Sequence, residues 1–400
     1  KRIFVFSAIK LPVRSNGVHS SQNLRLLFCI KGLNNPGGGA ERVLADVASG
    51  LAERGHKVAV LTFDRPGGQP YYSLHANIER IELGLAPTNE ASNLLITLRR
   101  MFVMRGKIRI CSPDVVVGFM HSIFIPLSLS MLGTNFPLVG SEHIIYDHYR
   151  HLPLQKFLLL LSSSLITRIT CTSTQALLSY PSAIRRKMVV IRNPVPTPTR
   201  GRADTFGSAQ ARKVLLSVGR LEAQKDHSVL VNAFAQIADK VPEWDLRIVG
   251  EGTLRAPLEA QILALGLANR VQLPGATRDV WQEYSSAQLF VMPSRYESFG
   301  LATAEALALG LPVVGFADCP GTNELVRPGE NGVLVTPSGD RAGSLAAALL
   351  SLMEGEQLRG RLTAGSKALE EHRLERVLDR WEDILRSLVI DDLAPGMPSL

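Results

Sequence analysis

Two successive series of short apolar runs, each run separated from the next by helix-spaced or turn-rich sequence, constrain this chain more than any other feature. The first series comprises Leu24–Ile30, Lys57–Phe63, Val115–Phe119, Leu138–Ser141 and Ile169–Thr172. The second comprises Lys213–Val218, Asp245–Val249, Val271–Leu273, Gln288–Met292 and Pro312–Phe316. Runs that are apolar without in-and-out alternation suit strands covered on both faces, so each series predicts a parallel sheet with helical crossovers. Between the two lies Arg192-Asn193-Pro194-Val195-Pro196-Thr197-Pro198, followed by Gly, Ser and Thr with few apolar positions. The predicted organisation is therefore a domain over 24–192, a linker over 193–212 and a domain over 213–390.

Helical spacing predicts helices over 40–54, 228–238, 255–265, 277–285 and 301–308. Closing helices follow over 345–353, 356–369 and 374–388, the last of them reaching back across the domain join. Residues 1–23 read as an irregular extension or a processed start, and 391–400 as a loose tail. Lys1–Ile9 lacks a small-residue cleavage site after it, which disfavours a signal peptide. The apolar stretch Leu152–Ile169 is interrupted by Gln155, Lys156, Ser162 to Ser164, Thr167 and Arg168, so it reads as a buried or interfacial helix and not a membrane span.

Charge is divided unevenly. The net charge of +8 resolves into +13 over residues 1–192 and −5 over residues 193–400. A basic first half suits a phosphorylated ligand or an anionic membrane surface. Nucleic acid is disfavoured, because no zinc-finger spacing, aromatic RNA-binding motif or recognition helix is present. The four cysteines, Cys29, Cys111, Cys171 and Cys319, show no CxxC spacing and read as reduced thiols of a cytosolic protein. No Asp-x-Asp occurs, which removes the simplest case for a nucleotide sugar held through a divalent metal, and no metal site is expected.

The chemistry-bearing residues cluster where predicted strands end. Gly37-Gly38-Gly39-Ala40-Glu41-Arg42 follows the first strand and opens its helix, where Gly38 and Gly39 permit close backbone approach to a phosphate, or simply a strand-to-helix turn. Gly219-Arg220-Leu221-Glu222-Ala223-Gln224-Lys225 holds the equivalent place in the second half. Arg220 and Lys225 there form a cationic pair suited to a diphosphate, or stand as solvated loop ends. Gly250-Glu251-Gly252 ends another second-half strand and suits either a ligand contact or a tight turn. Arg295-Tyr296-Glu297-Ser298-Phe299-Gly300-Leu301-Ala302-Thr303-Ala304-Glu305 runs from a strand into a helix and carries two carboxylates, one in the loop and one in the helix, able to meet different parts of one elongated ligand. A capping Ser298 and a solvated Glu305 is the plainer account. His121 and Ser141-Glu142-His143 follow two first-half strands, where an imidazole can contact a hydroxyl or move a proton, or can merely bridge the halves.

Taken together, these motifs resemble the GT-B glycosyltransferases of family 4, over nearly all of residues 24–390. The resemblance implies an α/β GT-B fold, two Rossmann-like parallel-sheet domains facing each other across a cleft, with the acceptor on the first domain and a nucleoside diphosphate sugar on the second. It implies sugar transfer with retention from a UDP-sugar, without an obligatory cofactor or metal. Arg220 and Lys225 then bind the diphosphate, Glu297 meets the donor sugar, Glu305 meets the ribose, and Ser298, Phe299, Gly300 and Leu301 supply backbone contacts. His121 matches the active-site histidine. Ser141-Glu142-His143 resembles a segment of members acting on polyprenyl-diphosphate glycans, which points to a lipid-linked glycan acceptor. The basic first half and the cluster Arg99, Arg100, Arg105, Lys107 and Arg109, set among Leu94, Leu95, Ile96, Leu98, Met101, Phe102, Val103 and Met104, point to a peripheral place on the cytoplasmic face of the membrane, or to a helix packed on the first domain. The alternatives are transfer to a small soluble acceptor and a noncatalytic nucleotide-sugar-binding protein. Gly321-Thr322-Asn323 and the first 23 residues depart from the pattern.

Overall fold

A computed structural model describes residues 23–34, 38–85, 94–195, 197–198, 201–207, 212–363 and 365–391. Gly37, the expected N-terminal extension up to residue 22, part of the expected linker and the tail beyond 391 lie outside the described residues.

Two all-parallel sheets form. The first contains β1 (Arg25–Cys29), β2 (Lys57–Thr62), β3 (Glu79–Glu82), β4 (Val115–Phe119), β5 (Leu138–Ser141), β6 (Arg168–Cys171) and β7 (Met188–Val190) in the order β3-β2-β1-β4-β5-β6-β7. The second contains β8 (Lys213–Val218), β9 (Trp244–Val249), β10 (Val271–Gly275), β11 (Leu289–Met292), β12 (Val313–Phe316) and β13 (Gly332–Val335) in the order β10-β9-β8-β11-β12-β13. Every residue of β4, β11 and β12 is buried, as strands covered on both faces require. In each sheet the order reverses once, between β1 and β4 and between β8 and β11. Such switch points leave a crevice at the carboxyl ends of the strands.

Helix α1 (Gly39–Glu53) covers one face of the first sheet. Helices α2 (Leu94–Cys111), α3 (His121–Ser130) and α4 (Pro153–Leu165) contribute to the core on the other face, with α3 touching both α2 and α4. The helix Leu374–Asp391 joins the core of the first sheet although it ends the chain. Val377, Leu378, Trp381, Leu385 and Leu388 are buried against α1, β1 and β4. Trp381 stacks on Phe119 with ring centroids 6.1 Å apart. Glu382 ties this helix down by accepting from Arg54 at 2.6 Å and lying 2.9 Å from His56 Nε2.

The differences from the sequence reading are local. Strands β3, β7 and β13 are additional, and all three are sheet edges. The helix expected at 345 starts at Arg341, because the Asp340 carboxylate accepts the Gly343 amide at 2.9 Å and caps it. The continuous helix expected over 356–369 is instead Glu356–Arg361 followed by a 3₁₀ turn, Gly365–His372.

Candidate active site

The switch point of the second sheet places two loops side by side. The loop after β8 carries Gly219 to Asp226, and the loop after β11 carries Ser294 to Gly300. They are zipped together by the Arg295 amide donating to the Gln224 carbonyl (2.9 Å) and by Gln224 Nε2 donating to the Tyr296 carbonyl (2.8 Å). This register brings Lys225 Nζ to 2.6 Å from Glu297 Oε1, which also accepts from Ser294 Oγ at 2.6 Å. Glu297 is thus a buried carboxylate held by one cation and one hydroxyl. The stem of Lys225 lies over Gly219, where an added Cβ would meet its Cδ and Cε at 3.3 Å. Arg220 is exposed and pairs with no carboxylate among the described residues, so its guanidinium is free for an anion.

Close backbone approach explains two glycines here. Gly250 has φ +150°, and a Cβ on it would sit 2.0 Å from the Gly219 carbonyl oxygen. Gly321 has φ +79°, and its Cβ would sit 2.9 Å from the Glu297 carbonyl oxygen and the Phe299 amide. Gly321 therefore lets the segment after β12 press against the Glu297–Phe299 loop. Glu251 has another occupation, because both its oxygens accept from Arg255, at 2.7 and 2.9 Å, and its carboxyl lies below the ordinary range through those hydrogen bonds.

The loops of the first sheet meet these loops. Gly39 packs against Leu301, with a Cβ 3.7 Å from Leu301 Cδ2. Thr172 Oγ1 donates to the Ser298 carbonyl at 2.8 Å, and Tyr71 OH donates to the Thr277 carbonyl at 2.9 Å. Arg42, one turn into α1, donates to Glu305 Oε1 at 2.8 Å across the join, and Tyr284 OH donates to Glu305 Oε2 at 2.9 Å. Burial pushes the Glu305 carboxyl up, while Arg42 and the Tyr284 hydroxyl oppose that. The sequence reading gave Arg42 no role. The structure makes it the cationic partner of Glu305, from a position 263 residues away.

On the first sheet, His121 opens α3 directly after Met120, which adopts φ +69°. That left-handed residue, uncommon outside glycine, sets where the imidazole emerges. His121 Nδ1 is buried without a hydrogen-bond partner and lies 4.0 Å from Glu142 Oε1. Its neighbours are the rings of His148 (centroids 5.5 Å) and Tyr149 (5.3 Å). Burial, reinforced by His148, pushes the imidazole down to about 4. His143 turns inward, stacking on Phe119 at 5.2 Å with Nε2 3.0 Å from Ser141 Oγ. Ser298 joins the two halves through Thr172, while Phe299 stacks on His372 at 4.7 Å and His372 Nδ1 lies 3.0 Å from the Asn193 carbonyl of the linker. Gly300, at φ +84°, turns the chain into the helix Leu301–Ala308. Gly38 precedes α1, with its extended backbone at the helix entry.

The four cysteines are free, and no cluster of three or more metal-ligating side chains occurs among the described residues. No helix among them is long and apolar enough to cross a membrane.

Two parallel sheets meeting through their carboxyl-end loops, with cations and buried acids at the join, form a GT-B arrangement. Residues 37–198 match the family described as Glycosyltransferase Family 4, and residues 203–368 match glycosyl transferases group 1. The chain is a GT-B glycosyltransferase related to the retaining family 4. It is 25% identical to an uncharacterised glycosyltransferase of Haemophilus influenzae over 87% of this chain and 96% of that protein. It is also 25% identical to the amylovoran biosynthesis glycosyltransferase AmsD of Erwinia amylovora, over 90% and 99%. Among solved structures, Anabaena HepE in complex with UDP-glucose superposes with a TM-score of 0.73 at 20% identity, covering 91% of this chain and all of that one. The sucrose-phosphate synthase of Thermosynechococcus elongatus superposes with a TM-score of 0.77 at 19% identity, over 92% and 99%.

Proposed function

We propose that the protein transfers a hexosyl or N-acetylhexosaminyl group from a UDP-sugar to a glycan acceptor carried on a membrane lipid. In this reading residues 213–390 hold the donor and residues 24–192 the acceptor. The observation that carries donor use is the Lys225–Glu297 pair beside an exposed Arg220, which has no carboxylate partner among the described residues, at the switch point of the second sheet. Transfer develops negative charge on the departing diphosphate and positive charge at the sugar carbon. Arg220 and Lys225 answer the first charge, and Glu297 orients and stabilises the second. His121 reaches the sugar from the opposite loops. A front-face displacement, in which the leaving phosphate receives the acceptor proton, uses these groups without assigning Glu297 as a nucleophile. UDP as the carrier is supported by the HepE complex with UDP-glucose. Glu305, shared between Arg42 and Tyr284, meets the ribose in the same reading.

Membrane attachment is supported by the outer faces of α2 and α4, the helices on either side of α3. Leu95 and Phe102 of α2 and Leu154 and Phe157 of α4 are each more than 60% exposed. Residues 94–192 hold 12 Lys/Arg against 3 Asp/Glu, and of these acids Glu142 is buried and Asp114 is paired with Arg25. An apolar surface within a basic field fits the headgroup region of an anionic bilayer on the cytoplasmic face. The basic cluster of α2 is smaller than its sequence indicates. Arg100 is buried over Phe63 and donates to the Leu85 carbonyl, and Arg105 donates to the Leu132 carbonyl, which leaves Arg99, Lys107 and Arg109 exposed.

A soluble acceptor is the second reading, favoured by the likeness to sucrose-phosphate synthase and by 38% identity over 112 residues to the mannosylfructose-phosphate synthase of Agrobacterium fabrum. Incubation with UDP-sugars and polyprenyl-diphosphate glycans, followed by lipid extraction and product mass analysis, separates the two. Labelled sugar in the lipid phase supports the first reading, and label confined to water-soluble products supports the second.

A further inference from the structure

The mechanism above leaves the buried acid beside His121 without a task. Glu142, at the end of β5, is 1% exposed. Oε2 accepts from Tyr149 OH at 2.7 Å and Oε1 accepts from the His143 amide at 2.9 Å. Oε1 also faces His121 Nδ1 at 4.0 Å, the buried ring nitrogen that has no partner of its own. A buried imidazole nitrogen without a partner costs stability as it stands. Closing the gap from 4.0 Å to about 2.8 Å satisfies it.

We propose that Glu142 is a positioning residue for His121: its carboxylate accepts the Nδ1 proton of the imidazole, fixes that tautomer, and leaves the Nε2 lone pair for the ligand side. Nε2 is the nitrogen not enclosed by the pocket, and the ring retains 15% of its surface. The neutral ring so held accepts a hydroxyl proton in a hydrogen bond at Nε2, whereas the opposite tautomer would present N–H there. This consequence at the ligand rests on the glycosyl-transfer reading; the proton arrangement does not.

Ionisation agrees in sign. Burial pushes the Glu142 carboxyl up to about 7, against the opposing hydrogen bonds from Tyr149, the His143 and Ile144 amides and Tyr180, and pushes His121 down to about 4. The titratable groups facing the pair are His148, His143, Tyr149, Tyr180 and Cys171. The arrangement requires ionised Glu142 and neutral His121, so it forms as the pH rises through about 7.

Long-range ¹H–¹⁵N spectra of the ¹⁵N-histidine-labelled full chain, with the His121 signals assigned through His121→Gln, test this without any ligand. At pH 8 the wild type should show His121 protonated at Nδ1, and that population should fall below pH 7. Glu142→Gln should favour Nε2 protonation and remove the pH dependence, while Glu142→Asp should retain both. Turnover is read as UDP release from UDP-glucose. Glu142→Gln should lower kcat by about tenfold or more with KM for UDP-glucose little changed, and should lose the acid limb near pH 7. Tyr149→Phe, which removes one donor from the carboxylate, should move the limb to higher pH, and it carries the test if Glu142→Gln fails to fold. A wild-type His121 protonated at Nε2, or an unchanged tautomer and pH profile in Glu142→Gln, would overturn the assignment. The expected tautomers without UDP release would support Glu142 and count against the donor reading alone.

Discussion

The Arg42–Glu305 contact makes a quantitative test of how the two halves are joined. Their side chains are 15% and 6% exposed, so solvent screens the 2.8 Å pair weakly. Replacing Arg42 by Met keeps an aliphatic stem but removes the cationic partner of a buried carboxylate that also accepts from Tyr284. Removing one partner of such a pair costs about 3 kcal/mol at a pH where the carboxylate must ionise. The sign of the pH dependence follows. Burial already raises the Glu305 carboxyl above its ordinary value, and losing Arg42 raises it further. The folded variant then holds a proton that the unfolded chain releases, so its stability falls as pH rises above the ordinary carboxylate range. Urea denaturation should show an Arg42→Met deficit of about 3 kcal/mol at pH 8 and about 1 kcal/mol at pH 5. Adding Glu305→Gln should recover about 2 kcal/mol at pH 8, the coupling expected of neighbours in one buried network. Equal deficits at both pH values, or a coupling below about 0.5 kcal/mol, would show that Arg42 acts through packing beside Tyr72 and Trp281 and not through charge.

Arg220→Ala and Lys225→Ala should each lower kcat/KM by about tenfold or more, equivalent to about 1.4 kcal/mol of transition-state stabilisation, and near-normal values in both folded variants would refute the diphosphate assignment. Activity should persist after exhaustive chelation if, as proposed, Arg220 and Lys225 supply the positive charge; complete loss restored specifically by magnesium or manganese ions would contradict this. Vesicles containing phosphatidylglycerol should bind the protein more strongly than phosphatidylcholine alone, with weaker binding at raised salt and in Leu154→Glu/Phe157→Glu. Equal, salt-insensitive binding to both lipids, or none to either, would reject electrostatic docking.

What the sequence disclosed, and what it did not, divides along physical lines. Central strands such as Val115–Phe119 and Leu289–Met292 are buried on both faces and so write continuous apolar runs that are readable alone. The missed strands are edges: β3 is Glu-Arg-Ile-Glu with two exposed residues, and β7 has only three residues. Their partners, not their composition, make them strands. Arg100 misleads for a related reason. It shares the buried stripe of Met104 and Ile108, and its guanidinium is satisfied by the Leu85 carbonyl and the Phe63 ring, which are brought there only by the tertiary fold.

The site shows the same division. Glycines, strand-end cations and the Glu297–Glu305 segment are legible because the backbone requirements behind them are local. The pairings Arg42–Glu305, Lys225–Glu297 and His121–Glu142 join residues 263, 72 and 21 positions apart, and no local spacing encodes them. Each pairs an acid with a basic side chain from a different strand-end loop or helix entry. The charge state of the site therefore depends on how these loops are held together. Loop packing, as at Gly321 against the Glu297–Phe299 backbone, holds those loops in place, and in the proposed reading it bears on catalysis by fixing those distances.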